Sequence, residues 1–106
     1  MGRIQGLFEK NALSGSEQIK AGPGYVFSIS TAWKGLTVGD IVCQLIDDTA
    51  DNGAAGRIVL TVYAATANGI WSREWAQGKE FPNGIFYKEG AAGGASGAVL
   101  TELTAK

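Results

Sequence analysis

Acidic side chains are the first candidates for chemistry, because Asp47, Asp48 and Asp51 lie close together and are followed by Asn52 and Gly53. A calcium-binding loop of the EF-hand type places oxygen ligands at alternate positions, a glycine at the sixth and a glutamate at the twelfth. Counted from Asp47, the sixth position holds Asn52 and the twelfth holds an isoleucine. The spacing therefore predicts a solvated turn and no metal site.

Catalytic side chains are scarce. Cys43 is the single cysteine and the chain has no histidine, so the commonest general base is missing. A reactive thiol needs a cationic or dipolar neighbour that lowers its pKa, and the sequence shows none beside Cys43. Carboxylate pairs such as Asp47 with Asp48, or Glu74 with Glu80, show no sign of burial or of facing each other. We therefore predict no catalytic residue and no cofactor, and a protein that is not an enzyme.

Two tryptophans and an arginine form the next candidate group, since Trp71, Arg73 and Trp75 share one face if their segment is a strand. Arg73 would then lie between two indoles, which favours a cation–π contact. Three interpretations are open: core tryptophans with Arg73 at the edge, a contact with a subunit or partner, or a platform for a sugar ring.

Composition narrows the possible partners. Charged residues make up 18% of the 106 residues, less than the roughly 25% typical of soluble domains, so some exposed surface should be apolar and bind a protein partner. The net charge of −1 and the lack of a basic stripe argue against nucleic acid. No apolar run is long enough to span a membrane, and the first residues do not form a secretion signal. We expect a cytosol-like compartment and no membrane partner.

Short strands are the elements that must position these residues. After the corner Gly22-Pro23-Gly24, a strand begins whose large apolar residues recur at period two and would share one face that a second layer must cover. They are Tyr25, Phe27, Ile29 and Trp33. The nearly continuous apolar run Ile41–Ile46 is typical of a strand covered on both faces.

The rest of the chain continues this pattern. Apolar residues alternate over Arg57–Ala65, and Asn68-Gly69 predicts a hairpin to a return strand over Ile70–Ala76. Further strands are expected at Ile85–Lys88 and Ala98–Thr104. Six to eight short antiparallel strands without a helix predict an all-β fold: a single small, jelly-roll-like β-sandwich over residues 11–106, preceded by an N-terminal arm or edge strand over residues 1–10.

Three motifs resemble those of a group of small tailed-phage proteins. Ile19–Ser30 contains the lysine-alanine-glycine-proline-glycine corner that feeds a strand in that group. Ile41–Asp48 is similar to its valine-x-leucine-x-aspartate strand, which a glycine-rich loop follows. Phe81–Tyr87 is similar to its phenylalanine-x-asparagine-glycine-isoleucine-phenylalanine/tyrosine piece. The resemblance covers about residues 17–104 and includes no catalytic motif.

The resemblance implies a virion protein that is made in the host cytoplasm and lies on the capsid surface. Such proteins decorate or cement the shell, so we expect contacts with the major capsid protein and with copies of the chain itself in a homotrimer. Candidate interface residues are Ile4, Leu7, Phe8, Trp33, Trp71, Arg73 and Trp75. Two alternatives stay open: a receptor- or glycan-binding module of a head or tail fibre, and a small enzyme or enzyme inhibitor, which the absence of histidine disfavours.

Overall fold

The chain is built from β-strands, as seen in a computed structural model. The structure describes residues 8–13, 16–90 and 98–106, and it describes side chains for 16–90 and 99–106. Those ranges contain no helix. In chain order the strands are β1 (Phe8–Leu13), β2 (Glu17–Lys20), β3 (Gly24–Lys34), β4 (Ile41–Ile46), β5 (Ile58–Tyr63), β6 (Gly69–Phe81), β7 (Ile85–Glu89) and β8 (Ala98–Ala105).

Two four-stranded sheets carry these strands, the first in the order β1-β8-β3-β6 and the second in the order β2-β7-β4-β5. All neighbouring strands are antiparallel. The pairs β1·β8, β2·β7, β3·β6 and β4·β5 make one long ribbon, which the additional pairs β3·β8 and β4·β7 fold into two layers. This is the strand order of a jelly roll, and the predicted all-β sandwich is confirmed. The boundary predicted at residue 10 falls inside β1, an edge strand of the first sheet.

β4 is buried on both faces, as its apolar run predicts. Cys43 and Leu45 point into the core between the sheets. Gln44 and Ile46 are also buried, although they lie outside the core cluster and face away from it. Something other than the first sheet must therefore cover the outer face of the second sheet, and that cover is the loop over residues 47–57.

This covering loop is held across β2 and β7. The side-chain amide nitrogen of Gln18, on β2, donates a hydrogen bond of 2.8 Å to the carbonyl oxygen of Thr49. The Nζ atom of Lys88, on β7, lies 3.1 Å from a carboxylate oxygen of Asp51. Because these contacts fall on two strands of the second sheet, the loop lies over that sheet and shields its outward side chains from water.

The alternation of inward and outward side chains along β3 is interrupted at Phe27. Phe27 is an extra residue relative to β8, because its two neighbours pair with consecutive residues there, which defines a β-bulge. Val26 enters the core on one side of the bulge, and Ile29 and Trp33 enter it on the other, whereas Tyr25 is exposed. The predicted common face of Tyr25 and Phe27 with Ile29 and Trp33 is therefore wrong, since one extra residue exchanges the two faces of a strand.

β6 accommodates the same bulge with a larger one of its own. Val26 pairs with Lys79 and Ser28 pairs with Glu74, so residues 75–78 lie against one residue of β3. Gly78 has a φ of +85°, and a Cβ atom placed on it would lie 3.1 Å from the ring of Phe27. The bulge therefore needs glycine at this position for both conformation and space.

The hairpin predicted at Asn68-Gly69 is wrong. β5 belongs to the second sheet and β6 to the first, so residues 64–68 cross from one layer to the other. Asn68 instead accepts a hydrogen bond of 3.0 Å from the backbone nitrogen of Gly35 through its side-chain oxygen. A Cβ atom at Gly69 would lie 2.7 Å from the ring of Trp33, so glycine serves there to let a core indole approach.

Replacing Gly78 by alanine should lower the free energy of unfolding by about 1–3 kcal/mol, because alanine is strained at a positive φ and its Cβ would press on Phe27. Gly53→Ala is the matched control, since a Cβ there meets no atom within 4 Å, and its effect should stay below about 0.5 kcal/mol. Urea unfolding followed by tryptophan fluorescence measures both. Equal stabilities would contradict the requirement for glycine in the bulge.

Candidate functional site

Trp33, a predicted interface residue, lies in the core. Its side chain is buried, and its indole nitrogen donates a hydrogen bond of 2.9 Å to the carbonyl oxygen of Thr66. Ile4 and Leu7 lie outside the described residues. Of Phe8, only the backbone is described, at the start of β1.

The group Trp71, Arg73 and Trp75 lies on the side of β6 that faces the second sheet. Both tryptophans are partly buried and pack against the core. The guanidinium carbon of Arg73, whose side chain is exposed, lies 5.2 Å from the ring centroid of Trp75, within the range of a cation–π contact. The geometry is that of core tryptophans with a cation at the edge. Contact of these residues with a second copy stays a prediction.

The acidic residues after β4 fix loops at one end of the sandwich. Asp47 accepts hydrogen bonds from the backbone and side-chain nitrogens of Asn83, at 2.8 and 3.2 Å. Asp48 accepts them from the side chain of Asn52 at 2.9 Å and from the backbone of Thr49 at 2.7 Å. These bonds lower the pKa of the Asp48 carboxyl, and the bond from Asn52 has the largest effect. In the described part of the chain no group of acidic, cysteine or histidine side chains could hold a metal ion.

A chain of hydroxyl groups crosses the core between the sheets. The Tyr87 oxygen, on β7, lies 2.7 Å from the Thr101 hydroxyl on β8, which donates a bond of 3.0 Å to the Thr31 hydroxyl on β3. Because the Thr101 proton is committed to Thr31, Tyr87 must donate to Thr101. All three side chains are buried, so the chain satisfies polar groups that water cannot reach.

The Cys43 thiol lies against the same hydroxyl groups and is inert. Burial raises its pKa to about 12, although hydrogen bonds with Thr31, Tyr87 and Thr101 act in the opposite direction. Burial also raises the pKa of the Tyr87 phenol. A thiol that stays protonated near neutral pH is neither a nucleophile nor a metal ligand, so Cys43 serves the packing of the core.

The two sheets differ in how their outer faces are covered. The loop over residues 47–57 lies on the second sheet, whereas the described residues place no such segment on the first. We call the outer side of β3, β6 and β8 the open face. It consists of Tyr25, Phe27, Ser28, Ser30, Ala32, Lys34, Ile70, Ser72, Glu74, Glu80, Leu100, Glu102, Thr104 and Lys106, most of which the strand registers place side by side.

Three grooves follow β3 along the open face. One of about 340 Å³ is lined by Tyr25 and Phe27 together with Lys20 and Lys106. A central one of about 400 Å³ has serine and threonine hydroxyls and the carboxylates of Glu74 and Glu102 in its walls. A third of about 220 Å³ is lined by residues that include Ala32, Lys34 and Leu100. The open face is therefore indented along its length and polar in its middle.

Apolar side chains are exposed at both ends of the open face. Ile70 is 75% exposed and Leu100 is 50% exposed, and they flank Ala32 in one row across three strands. Tyr25, at the other end, is 41% exposed. Exposed apolar groups on one face of a small domain are typical of a protein-binding surface.

Three exposed residues of the open face have no clear signal in the sequence. Tyr25 is predicted on the core face because the bulge at Phe27 has no signature in the sequence. Val99 and Leu100 are both apolar, so alternation alone does not show which of them points inward. Ile70 precedes two tryptophans, which drew attention to the opposite face of the same strand.

Comparison with known proteins adds no family. No protein-family model matches the chain, and no curated protein matches its sequence. In the described residues no helix is long and apolar enough to cross a membrane.

Removing the phenol oxygen by Tyr87→Phe should lower the free energy of unfolding by about 1–2 kcal/mol, because buried Thr101 loses its hydrogen-bond donor. Tyr63→Phe is the matched control, since that tyrosine is exposed, and its effect should be below about 0.5 kcal/mol. Chemical denaturation at pH 7 measures both variants. A Tyr87→Phe protein as stable as the control would contradict a stabilising hydroxyl chain.

Alkaline pH should destabilise the sandwich through Cys43. Its folded pKa of about 12 lies above its ordinary value near 9, so the unfolded chain loses the thiol proton first and stability falls as pH rises. The contribution of Cys43 should fall by about 1 kcal/mol between pH 9 and 10. Unfolding curves of wild type and Cys43→Ala across this range measure it. Parallel pH profiles for the two proteins would show that the thiol is not the titrating group.

Proposed function

We propose that this protein is a non-enzymatic structural component of a phage particle, which decorates or cements the capsid through protein–protein contacts. The observation that carries the proposal is the open face, a jelly-roll sheet with exposed apolar groups and no cover from the described residues. The opposite sheet of the same sandwich is covered by its own loop. An uncovered sheet face supports the proposal because a small domain rarely exposes such groups without a partner.

Copies of the chain are proposed to associate as a homotrimer on the capsid surface, in contact with the major capsid protein. The motif resemblance supports this arrangement, and the all-β sandwich is compatible with it. In cement proteins, each copy contributes a modest interface, and many copies together resist pressure from inside the shell. Of the interface residues expected from sequence, Trp71 and Trp75 are only partly buried and would contribute to contacts between copies, whereas Trp33 is enclosed in the core.

Glycan binding is the second candidate function, and one observation favours it. The central groove of the open face is lined by hydroxyl and carboxylate groups, which suit the hydroxyls of a sugar. The aliphatic side chains at one end of the same face suit a protein better, because they offer a sugar no hydrogen bond. Decoration of the shell therefore remains the first proposal.

Binding to empty shells tests the first proposal directly. Purified protein mixed with shells assembled from the particle's recombinant major capsid protein should co-sediment with them, in saturable amounts. Failure to bind would contradict the decorating function. A change in tryptophan fluorescence on addition of oligosaccharides, without binding to shells, would favour the glycan-binding module.

Light scattering tests the oligomer. We expect a mass of three times the 11.0 kDa of one chain. Deleting residues 1–7 should leave that mass unchanged, because the cut preserves β1, which begins at Phe8. A monomer in both forms would contradict the trimer.

A further inference from the structure

We propose that the open face binds an extended segment of the shell protein that carries basic side chains between apolar ones and lies along β3. This inference rests on the proposed function, since it names the partner's chemistry and the surface that receives it. It follows from three features of the open face: its apolar ends, its acidic centre and its length.

The apolar ends require apolar groups opposite them. The row Leu100–Ala32–Ile70 crosses three strands at one end, and Tyr25 with Phe27 forms the other, where Lys106 and Glu80 flank Tyr25. Covering such side chains gains about 25 cal/mol for each Å² of apolar area removed from water. A segment that spans both ends gains at two separate places, which fixes its direction along β3.

The centre requires positive charge. Glu74 lies beside Ser28 on β6, and Glu102 lies beside Ser30 on β8, so the two carboxylates flank β3 from opposite sides. Both are exposed, and neither forms an ion pair with a described residue. A partner that covered them without supplying cations would bury uncompensated charge at a large cost. Lysine or arginine side chains from the partner would pair with them.

The acidic centre also argues against a second copy as the occupant. Two open faces stacked centre to centre would bring Glu74 and Glu102 of one copy close to the same carboxylates of the other. Like charges in a closed interface cost several kcal/mol. We therefore expect contacts between copies on other surfaces, which leaves the open face for a different protein.

The length of the face sets the length of the segment. Tyr25 and Ala32 mark the two ends along β3, and strands rise about 3.3 Å per residue, so the face is roughly 20 Å long. About seven extended residues cover that distance, with apolar residues at the ends and one or two basic residues between them. Such a segment fits the three aligned grooves without reaching the loops at either end.

Shell binding by surface variants tests the inference. Reversing both charges in Glu74→Lys/Glu102→Lys should raise the dissociation constant at least about tenfold, through lost ion pairs and new repulsion. Ile70→Lys should weaken binding by a similar factor, because it removes an apolar contact. Val38→Lys is the matched control: that side chain is 65% exposed but lies in the loop after β3, away from the open face.

The salt dependence of binding tests the same contact independently. Raising NaCl should weaken wild-type binding, because screening reduces the attraction between exposed charges. In Glu74→Gln/Glu102→Gln the salt dependence should largely disappear while residual binding through the apolar ends persists. Thermal unfolding checks that each variant is folded. We expect all of them to fold, because the altered side chains are exposed.

The outcomes separate the inference from the function on which it rests. Loss of binding in the open-face variants, with wild-type binding in Val38→Lys, supports the inference. Wild-type binding in all variants overturns it and leaves the decorating function in place. Shells that do not bind the wild-type protein overturn both.

Discussion

The bulge at Phe27 decides which side chains of the central strand enter the core and which meet the solvent. If the same residues alternated regularly with no bulge, Tyr25 would share the face of Ile29 and Trp33, and its ring would be directed into the sandwich. The bulge instead keeps Val26 in the core and leaves Tyr25 outside. The aromatic end of the open face therefore exists because β3 breaks its alternation, and the glycine of the bulge in β6 makes that break possible.

The two sheets have the same number of strands but are covered unequally, so the two outer faces of the sandwich differ. Both sheets have four strands, yet in the described part of the chain a covering loop lies only on the second, where the carboxylate of Asp47 and the pair Asp51–Lys88 fix it. The acidic residues that first suggested a calcium site thus act on backbone and side-chain nitrogens of neighbouring loops. Their structural role is to hold this loop over the second sheet, whereas the described residues leave the outer face of the first sheet uncovered.

The sequence predicts the individual strands well, but it predicts less well how the strands pair and in which sheet each one lies. Ile41–Ile46 was recognised with its correct bounds and its double burial, because a continuous apolar run has one simple explanation. The Asn68-Gly69 signal failed, because a local turn preference does not reveal that the next strand joins the other sheet. Tyr25 failed for a related reason, since a bulge is set by the partner strands. The open face depends on both kinds of long-range information, so sequence alone pointed to the opposite side of β6.

The buried thiol of Cys43 also reports how often the fold opens. Its thiol is fully enclosed, so an alkylating reagent reaches it only when the two layers separate, and the rate of labelling counts those openings. Any partner that binds only the closed form must reduce their frequency in proportion to its occupancy. The same single atom can therefore compare the free protein with a bound one, without a label placed on any contact surface.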